Sequence, residues 1–114
     1  MKASNDSEHL EQVTFINWFR SEYPSTLIFA IPNGEYRAIT TAVRLKAEGV
    51  TAGVTDLFIP SMKLFIEMKK VKGGTVSKAQ KEIIAQLIAD GYDVIIAKGY
   101  KDAINQLKLL TIKY

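Results

Sequence analysis

Two acidic residues and a lysine in the middle of the chain have the types and spacing for metal-assisted hydrolysis. Asp56 lies eleven positions before Glu67, and Lys69 follows two positions later. Two carboxylates held close together repel each other unless a cation lies between them. A divalent cation held by such a pair polarises a phosphate oxygen and activates a bound water, and a nearby lysine neutralises the charge that develops on the phosphate. This patch suits hydrolysis of a phosphodiester bond.

The strands that carry these residues decide whether they meet. The segment is interpreted as two apolar strands over 54–59 and 64–70, joined by residues 60–63. Counting outward from the connection places Asp56 directly opposite Glu67, at a Cβ separation of about 4.5–5.5 Å. Lys69 projects from the same face, about 6.6 Å further along its strand. A register slip of one residue would move Asp56 to the other face.

The remaining pattern predicts a single domain over 7–114, after a short disordered lead over 1–6. Helical spacing, capping residues and Gly or Pro stops predict helices over 7–22, 36–48, 78–90 and 101–110, and short apolar runs predict further strands over 27–31 and 94–97. The element order αβαββαβα describes an α/β (α+β) domain in which helices pack on a mixed sheet.

Composition narrows the chemistry. The chain has 114 residues, no cysteine and one histidine, which excludes disulfides, thiolate metal sites and sites built on several imidazoles. A metal would therefore be held by oxygen ligands, as Mg²⁺, Mn²⁺ and Ca²⁺ are. The sequence has no apolar run of membrane-spanning length and no signal-peptide pattern, which predicts a cytoplasmic location and no membrane partner.

A basic stretch follows the acidic pair. The net charge is +3, and no acid interrupts the run from Lys69 to Lys81. Alone, such a run is as often a solvated surface as a grip on a polyanion. The candidates for contact with a nucleic-acid backbone are Lys70, Lys72, Lys78 and Lys81.

Several motifs in fixed order resemble one nuclease family. Asp56…Glu67-x-Lys69 has the form of the PD-(D/E)xK signature, although Thr55 stands where the family usually has proline. The motifs that accompany it are Glu8-x-x-Glu11-Gln12, Ile31-Pro32-Asn33-Gly34, Gly53-Val54-x-Asp56-Leu57, Phe65-Ile66-Glu67-x-Lys69, Ser77-x-x-Gln80 and Gly91-Tyr92-x-Val94. Together they resemble the virus-type replication–repair nuclease (VRR-NUC) branch of the PD-(D/E)xK nucleases, in particular its small stand-alone phage and bacterial members.

The resemblance implies a restriction-endonuclease-like core and a Mg²⁺- or Mn²⁺-dependent endonuclease. It implies that Asp56, Glu67 and the backbone carbonyl of Met68 hold the metal and that Lys69 is the catalytic lysine. It also implies that Gln80 belongs to the active site. The residues themselves allow a second role for Gln80, because Ser77-x-x-Gln80 is also a capping box.

A glutamate of the first helix should complete the site, and two are available. On a helical wheel Glu8 lies on the axis of the apolar face, whereas Glu11 lies near its edge. An acid on the core side is costly unless it is paired or bound to a metal, so Glu8 is preferred to Glu11. Beyond the first strand, Arg37 and Asn33 are candidates for nucleic-acid binding, Arg37 through a phosphate, although turn chemistry explains Asn33-Gly34 equally well.

The resemblance further implies branched DNA as the substrate and a homodimer as the active form. Small relatives look like Holliday-junction resolvases, and the two incisions of a symmetric four-way junction suit a two-fold dimer. Their setting would be the cytoplasm of a bacterium or of a phage-infected host. Two alternatives stay open: a flap or nicking nuclease without junction preference, and a non-catalytic nucleic-acid-binding module that retains the fold.

Overall fold

The computed structural model describes residues 3–32 and 39–112. Asn33 and Arg37 lie outside this range. The described elements are α1 (Ala3–Glu22), β1 (Phe29–Ala30), α2 (Ile39–Ala47), β2 (Leu57–Ile59), β3 (Leu64–Lys69), α3 (Lys78–Ala89), β4 (Asp93–Lys98) and α4 (Tyr100–Ile112), with a short 3-10 turn at Pro60–Met62. Their order confirms the predicted αβαββαβα arrangement.

The boundaries differ most from the predicted ones in α1, β1 and β2. Helix α1 begins at Ala3, so residues 3–6 of the expected disordered lead are helical and Ser7 lies inside the helix. Strand β1 has two residues and β2 has three, both shorter than predicted. The backbone pairing of β2 with β3 ends at Leu57, and the next contact with β3 is made by the side chain of Asp56 instead of the backbone.

The four strands form one mixed sheet in the order β1-β2-β3-β4. The first two neighbouring pairs are antiparallel, and β3 and β4 are parallel because α3 carries the chain back across the sheet. In the β2–β3 hairpin Ile59 pairs with Leu64 and Leu57 with Ile66. The predicted hairpin register is therefore confirmed.

Alternation along the strands gives the sheet two different faces. One face carries Leu57, Ile66 and Ala97, and it packs on α1 and α4 through Phe15, Phe19, Ala103 and Leu107. These side chains are buried and form the main core. Helix α3 lies on the opposite face, where the rings of Phe58 and Phe65 stack with their centroids 4.3 Å apart.

None of the helices in the described part of the chain combines the length and the apolar character needed to cross a membrane.

Candidate active site

Asp56 lies immediately before β2, on the side of the sheet that carries Phe58 and Phe65. Its backbone carbonyl accepts a hydrogen bond of 2.8 Å from the N–H of Ile31, which ties it to the end of β1. Its side-chain Oδ2 accepts a hydrogen bond of 2.7 Å from the N–H of Met68. The carboxylate therefore replaces the carbonyl that a longer β2 would have offered to β3, and it is fixed at the position predicted to face Glu67.

Glu67, Lys69 and Gln80 form a buried hydrogen-bonded cluster beside Asp56. Gln80 Nε2 donates to Glu67 Oε2 at 2.8 Å, and Lys69 Nζ donates to Gln80 Oε1 at 2.9 Å. Lys69 Nζ and Glu67 Oε2 are 3.4 Å apart. All three residues are buried: Glu67 is 3% exposed, Lys69 8% and Gln80 7%. Burial of an ion pair is less costly when each charge makes a further hydrogen bond, and Gln80 supplies one such bond to Glu67 and one to Lys69.

The N-terminus of α3 holds Gln80 in place. Ser77 is the N-cap, and its Oγ accepts from the backbone N–H of Gln80 at 3.1 Å. In return the backbone N–H of Ser77 donates to Gln80 Oε1 at 2.9 Å. The two roles considered for Gln80 are therefore compatible: one side chain closes the capping box and contacts Glu67 and Lys69.

A close backbone approach fixes the segment before Asp56 against the same helix end. Gly53 has a φ of +88°, and a Cβ at this position would lie 2.7 Å from the backbone carbonyl of Ala79 and 3.0 Å from the N atom of Gln80. Only glycine combines this φ with this contact. The loop that delivers Asp56 and the helix that delivers Gln80 are thus positioned by direct contact.

The two candidate glutamates of α1 have different surroundings. Glu11 Oε1 accepts a hydrogen bond of 2.7 Å from the backbone N–H of Tyr100, the first residue of α4. Its carboxylate thereby satisfies a free N–H at a helix N-terminus and complements the helix dipole. Glu8, one turn earlier on α1, is half-buried. Within the described ranges, neither residue belongs to a group of three or more acidic, cysteine or histidine side chains that could hold a metal ion.

The lysines predicted to contact nucleic acid follow β3 and begin α3. Lys72, Lys78 and Lys81 are exposed, and Lys70 is half-buried. Sequence reasoning did not select Lys98, which the β3–β4 register places directly beside Lys69. The sequence contains no local sign that Lys98 lies beside Lys69, because this depends on the parallel pairing of two segments that are far apart in the chain.

The donor set fits an oxygen-preferring divalent cation. The candidate donors are the carboxylates of Asp56 and Glu67 and the backbone carbonyl of Met68, whose N–H is already bound to Asp56. With Lys69 the cluster carries one net negative charge, so an added cation is electrostatically favourable. Hard oxygen donors of this kind suit Mg²⁺ and Mn²⁺.

The fold as a whole is similar to that of a known protein. The structure is similar to a solved structure titled "VRR_NUC domain protein", with 28% sequence identity, a TM-score of 0.74, and coverage of 91% of this chain and 87% of that chain. No family model and no curated protein matches the chain. The similarity therefore extends over nearly the whole of both chains. The chain is similar to a VRR-NUC domain over nearly its whole length and has a nuclease-like α/β fold.

Proposed function

We propose that this protein is a Mg²⁺- or Mn²⁺-dependent endonuclease that cleaves branched DNA and resolves four-way junctions as a homodimer. The observation that supports it most directly is the buried Glu67–Gln80–Lys69 cluster beside Asp56. Burying two opposite charges and an amide at the end of a sheet contributes little to stability compared with apolar packing. A functional demand on these groups accounts for their burial together at this position.

The residues divide the work of hydrolysis among them. Asp56, Glu67 and the Met68 carbonyl would hold the cation, which when bound polarises the phosphate and lowers the pKa of a water molecule. Lys69 sits 3.4 Å from Glu67 Oε2, close enough for its ammonium group to stabilise the charge that develops on the phosphate. Gln80 fixes both side chains through one amide, so that neither must reorganise during the reaction.

The helix acid of the proposed site is Glu8 rather than Glu11. The Glu11 carboxylate is bound to the Tyr100 N–H, and its loss would expose a free helix end. We expect Glu8→Gln to slow metal-dependent cleavage by at least tenfold with an unchanged melting temperature. Glu11→Gln, which can still accept the Tyr100 N–H, should leave cleavage within about threefold. The opposite ranking would assign the role to Glu11.

The proposed substrate and assembly follow from the VRR-NUC relationship and from symmetry. A four-way junction has two equivalent strands to be cut, and a two-fold dimer presents two equivalent sites. A nuclease that reads phosphates recognises DNA shape and position, since phosphate contacts carry no base sequence. Light scattering coupled to size exclusion should give twice the mass of one 12.7 kDa chain; a monomer that still makes paired incisions would contradict the dimer.

The central test uses isosteric variants of the two carboxylates. Asp56→Asn can keep its hydrogen bond to the Met68 N–H, and Glu67→Gln can keep its bond to Gln80, so both should fold. We expect each to lower cleavage by at least a thousandfold in Mg²⁺ and in Mn²⁺, with DNA binding in chelator retained. Lys108→Gln, on the exposed surface of α4, is the matched control and should cleave like the parent.

The substrates separate the alternatives. Four-way, flap, nicked and linear duplex DNAs are compared side by side under the same metal. Preference for the four-way junction supports resolution, whereas equal or greater cleavage of flap or nicked DNA identifies the flap or nicking nuclease. Binding without cleavage of any DNA by the folded parent would identify the non-catalytic module.

A further inference from the structure

A second basic site lies one strand away from the candidate active site. Lys98, the last residue of β4, pairs in parallel register with Lys69. Residues that face each other in a parallel pair project from the same side of the sheet, about 4.8 Å apart at the backbone. Lys69 is buried in its cluster, whereas Lys98 is exposed. An exposed lysine therefore lies directly beside the proposed catalytic lysine.

Lys98 opens onto a groove formed where β3 and β4 end and α4 begins. The groove has a volume of about 420 Å³ and is lined by Glu11, Val71, Lys98, Gly99, Tyr100 and Lys101. Its floor is tightly built at Gly99, where a Cβ would lie 2.8 Å from Val71 Cγ2 and 3.1 Å from Glu11 Oε1. The N–H of Gly99 donates to the carbonyl of Lys69 at 3.0 Å, so the groove is continuous with the strand that carries the site.

Glu11, which lines this groove, and Asp102, which lies next to it in the sequence, both accept hydrogen bonds from groups of the protein, whereas the lysines of the groove are exposed. Glu11 is bound to the Tyr100 N–H at 2.7 Å, and Asp102 accepts from the Lys98 N–H at 2.8 Å. Asp102 also accepts from Gln106 Nε2 at 3.1 Å. Both carboxylates are therefore engaged in hydrogen bonds within the protein. Lys98 and Lys101 are exposed residues at the rim, where their ammonium groups can meet an anion.

We propose that Lys98 and Lys101 bind the phosphate backbone of the DNA arm that leaves the active site across the end of β4. The proposal rests on the function proposed above, since it assigns the path of that substrate. The groove lies beside Lys69, so a strand with one phosphate at the carboxylates brings its neighbouring phosphates to this rim. Lys70 and Lys72, which follow β3, border the same end of the sheet and extend the positive surface.

Salt dependence of binding tests the groove without cleavage. The Lys98→Gln/Lys101→Gln double variant is compared with Lys63→Gln/Lys108→Gln, which removes the same charge from exposed positions elsewhere: Lys63 precedes the opposite end of β3, and Lys108 lies about 10 Å further along α4 than Lys101. Fluorescence anisotropy with labelled four-way and duplex DNA, in chelator from about 50 to 200 mM salt, gives the slope of log affinity against log salt.

Each lysine–phosphate contact contributes about 0.9 to that slope in duplex DNA. We expect the Lys98→Gln/Lys101→Gln variant to lose about 1.8 units of slope and at least tenfold in affinity at about 100 mM salt. Each single variant should lose about 0.9 units of slope. The charge-conserving double variant Lys98→Arg/Lys101→Arg should keep the slope of the parent. A groove variant whose slope and affinity match the control pair would overturn the proposal.

Cleavage assays separate this proposal from the nuclease assignment. If the parent cleaves DNA and the groove variant keeps its full salt slope, the groove fails and the nuclease stands. If the parent cleaves no DNA but the groove variant loses its slope, the nuclease fails and the phosphate-binding groove stands. Circular dichroism melting of each variant confirms that charge, not folding, has been changed.

Discussion

Replacing Gln80 with alanine should show that one side chain holds both the active-site charges and the helix end. The substitution removes the amide that donates to Glu67 at 2.8 Å and accepts from Lys69 at 2.9 Å and from the Ser77 N–H at 2.9 Å. All three contacts are made by a residue that is 7% exposed, where water cannot readily replace the lost partners.

The magnitude follows from those three contacts. A hydrogen bond to a charged group contributes about 1.5–3 kcal/mol, and a helix cap about 1 kcal/mol. Because the contacts belong to one network, their losses do not simply add. We expect Gln80→Ala to lower the free energy of unfolding by about 3–5 kcal/mol, a large part of the roughly 5–15 kcal/mol of a typical domain.

Ser77→Ala is the control that isolates the site contribution. It removes the bond from the Gln80 N–H to the cap hydroxyl at 3.1 Å and leaves the Gln80 amide on Glu67 and Lys69, so it should cost only about 1 kcal/mol. Urea unfolding, followed by circular dichroism at helical wavelengths, gives the free energy of unfolding of both variants. The two are compared at equal dependence of that free energy on urea concentration. If Gln80→Ala costs no more than Ser77→Ala, the amide does not stabilise the buried charges and the reasoning is refuted.

Two further substitutions test neighbouring positions. Gly53→Ala should lower the free energy of unfolding by about 2–4 kcal/mol, since a φ of +88° and a Cβ 2.7 Å from the Ala79 backbone are both unfavourable. The control is Gly49→Ala, which has a φ of +103° and open space around it, and should cost only about 1–2 kcal/mol. Equal losses of stability for the two variants in thermal melting would contradict the close approach at Gly53. Thr55→Val should raise the free energy of unfolding by about 1 kcal/mol, because the buried Thr55 Oγ1 has no hydrogen-bond partner among the described residues; a lower melting temperature would show that the hydroxyl is satisfied.

Local features of the sequence predicted the hairpin and the α3 terminus well. The four-residue connection fixes the β2–β3 register, because short hairpins leave few alternatives, and the observed pairing of Ile59 with Leu64 confirms it. The Ser77-x-x-Gln80 spacing predicted the capping box that forms. Both predictions depend on residues close together in the chain, where geometry is set by the backbone itself.

The features that sequence reasoning missed depend on long-range contacts. Glu11 caps α4 across 89 positions of sequence, and a helical wheel for α1 contains no information about that partner. Lys98 lies beside Lys69 only because α3 carries the chain back so that β4 runs parallel to β3. Strand β2 is shorter than its apolar run predicted because the Asp56 carboxylate, rather than the backbone, contacts Met68.

The shared use of Gln80 makes formation of α3 and assembly of the site one event. Lys69 and Glu67 belong to β3, yet their common partner becomes correctly placed only when the first turn of α3 is capped by Ser77. The loop before Asp56 rests on that same turn through Gly53. A helix terminus is the part of a helix that frays most readily, so contacts that hold this terminus also hold the proposed metal ligands and the lysine in register. Ligation of a cation by Asp56 and Glu67 should in turn protect the amide hydrogens of the first turn of α3 from exchange.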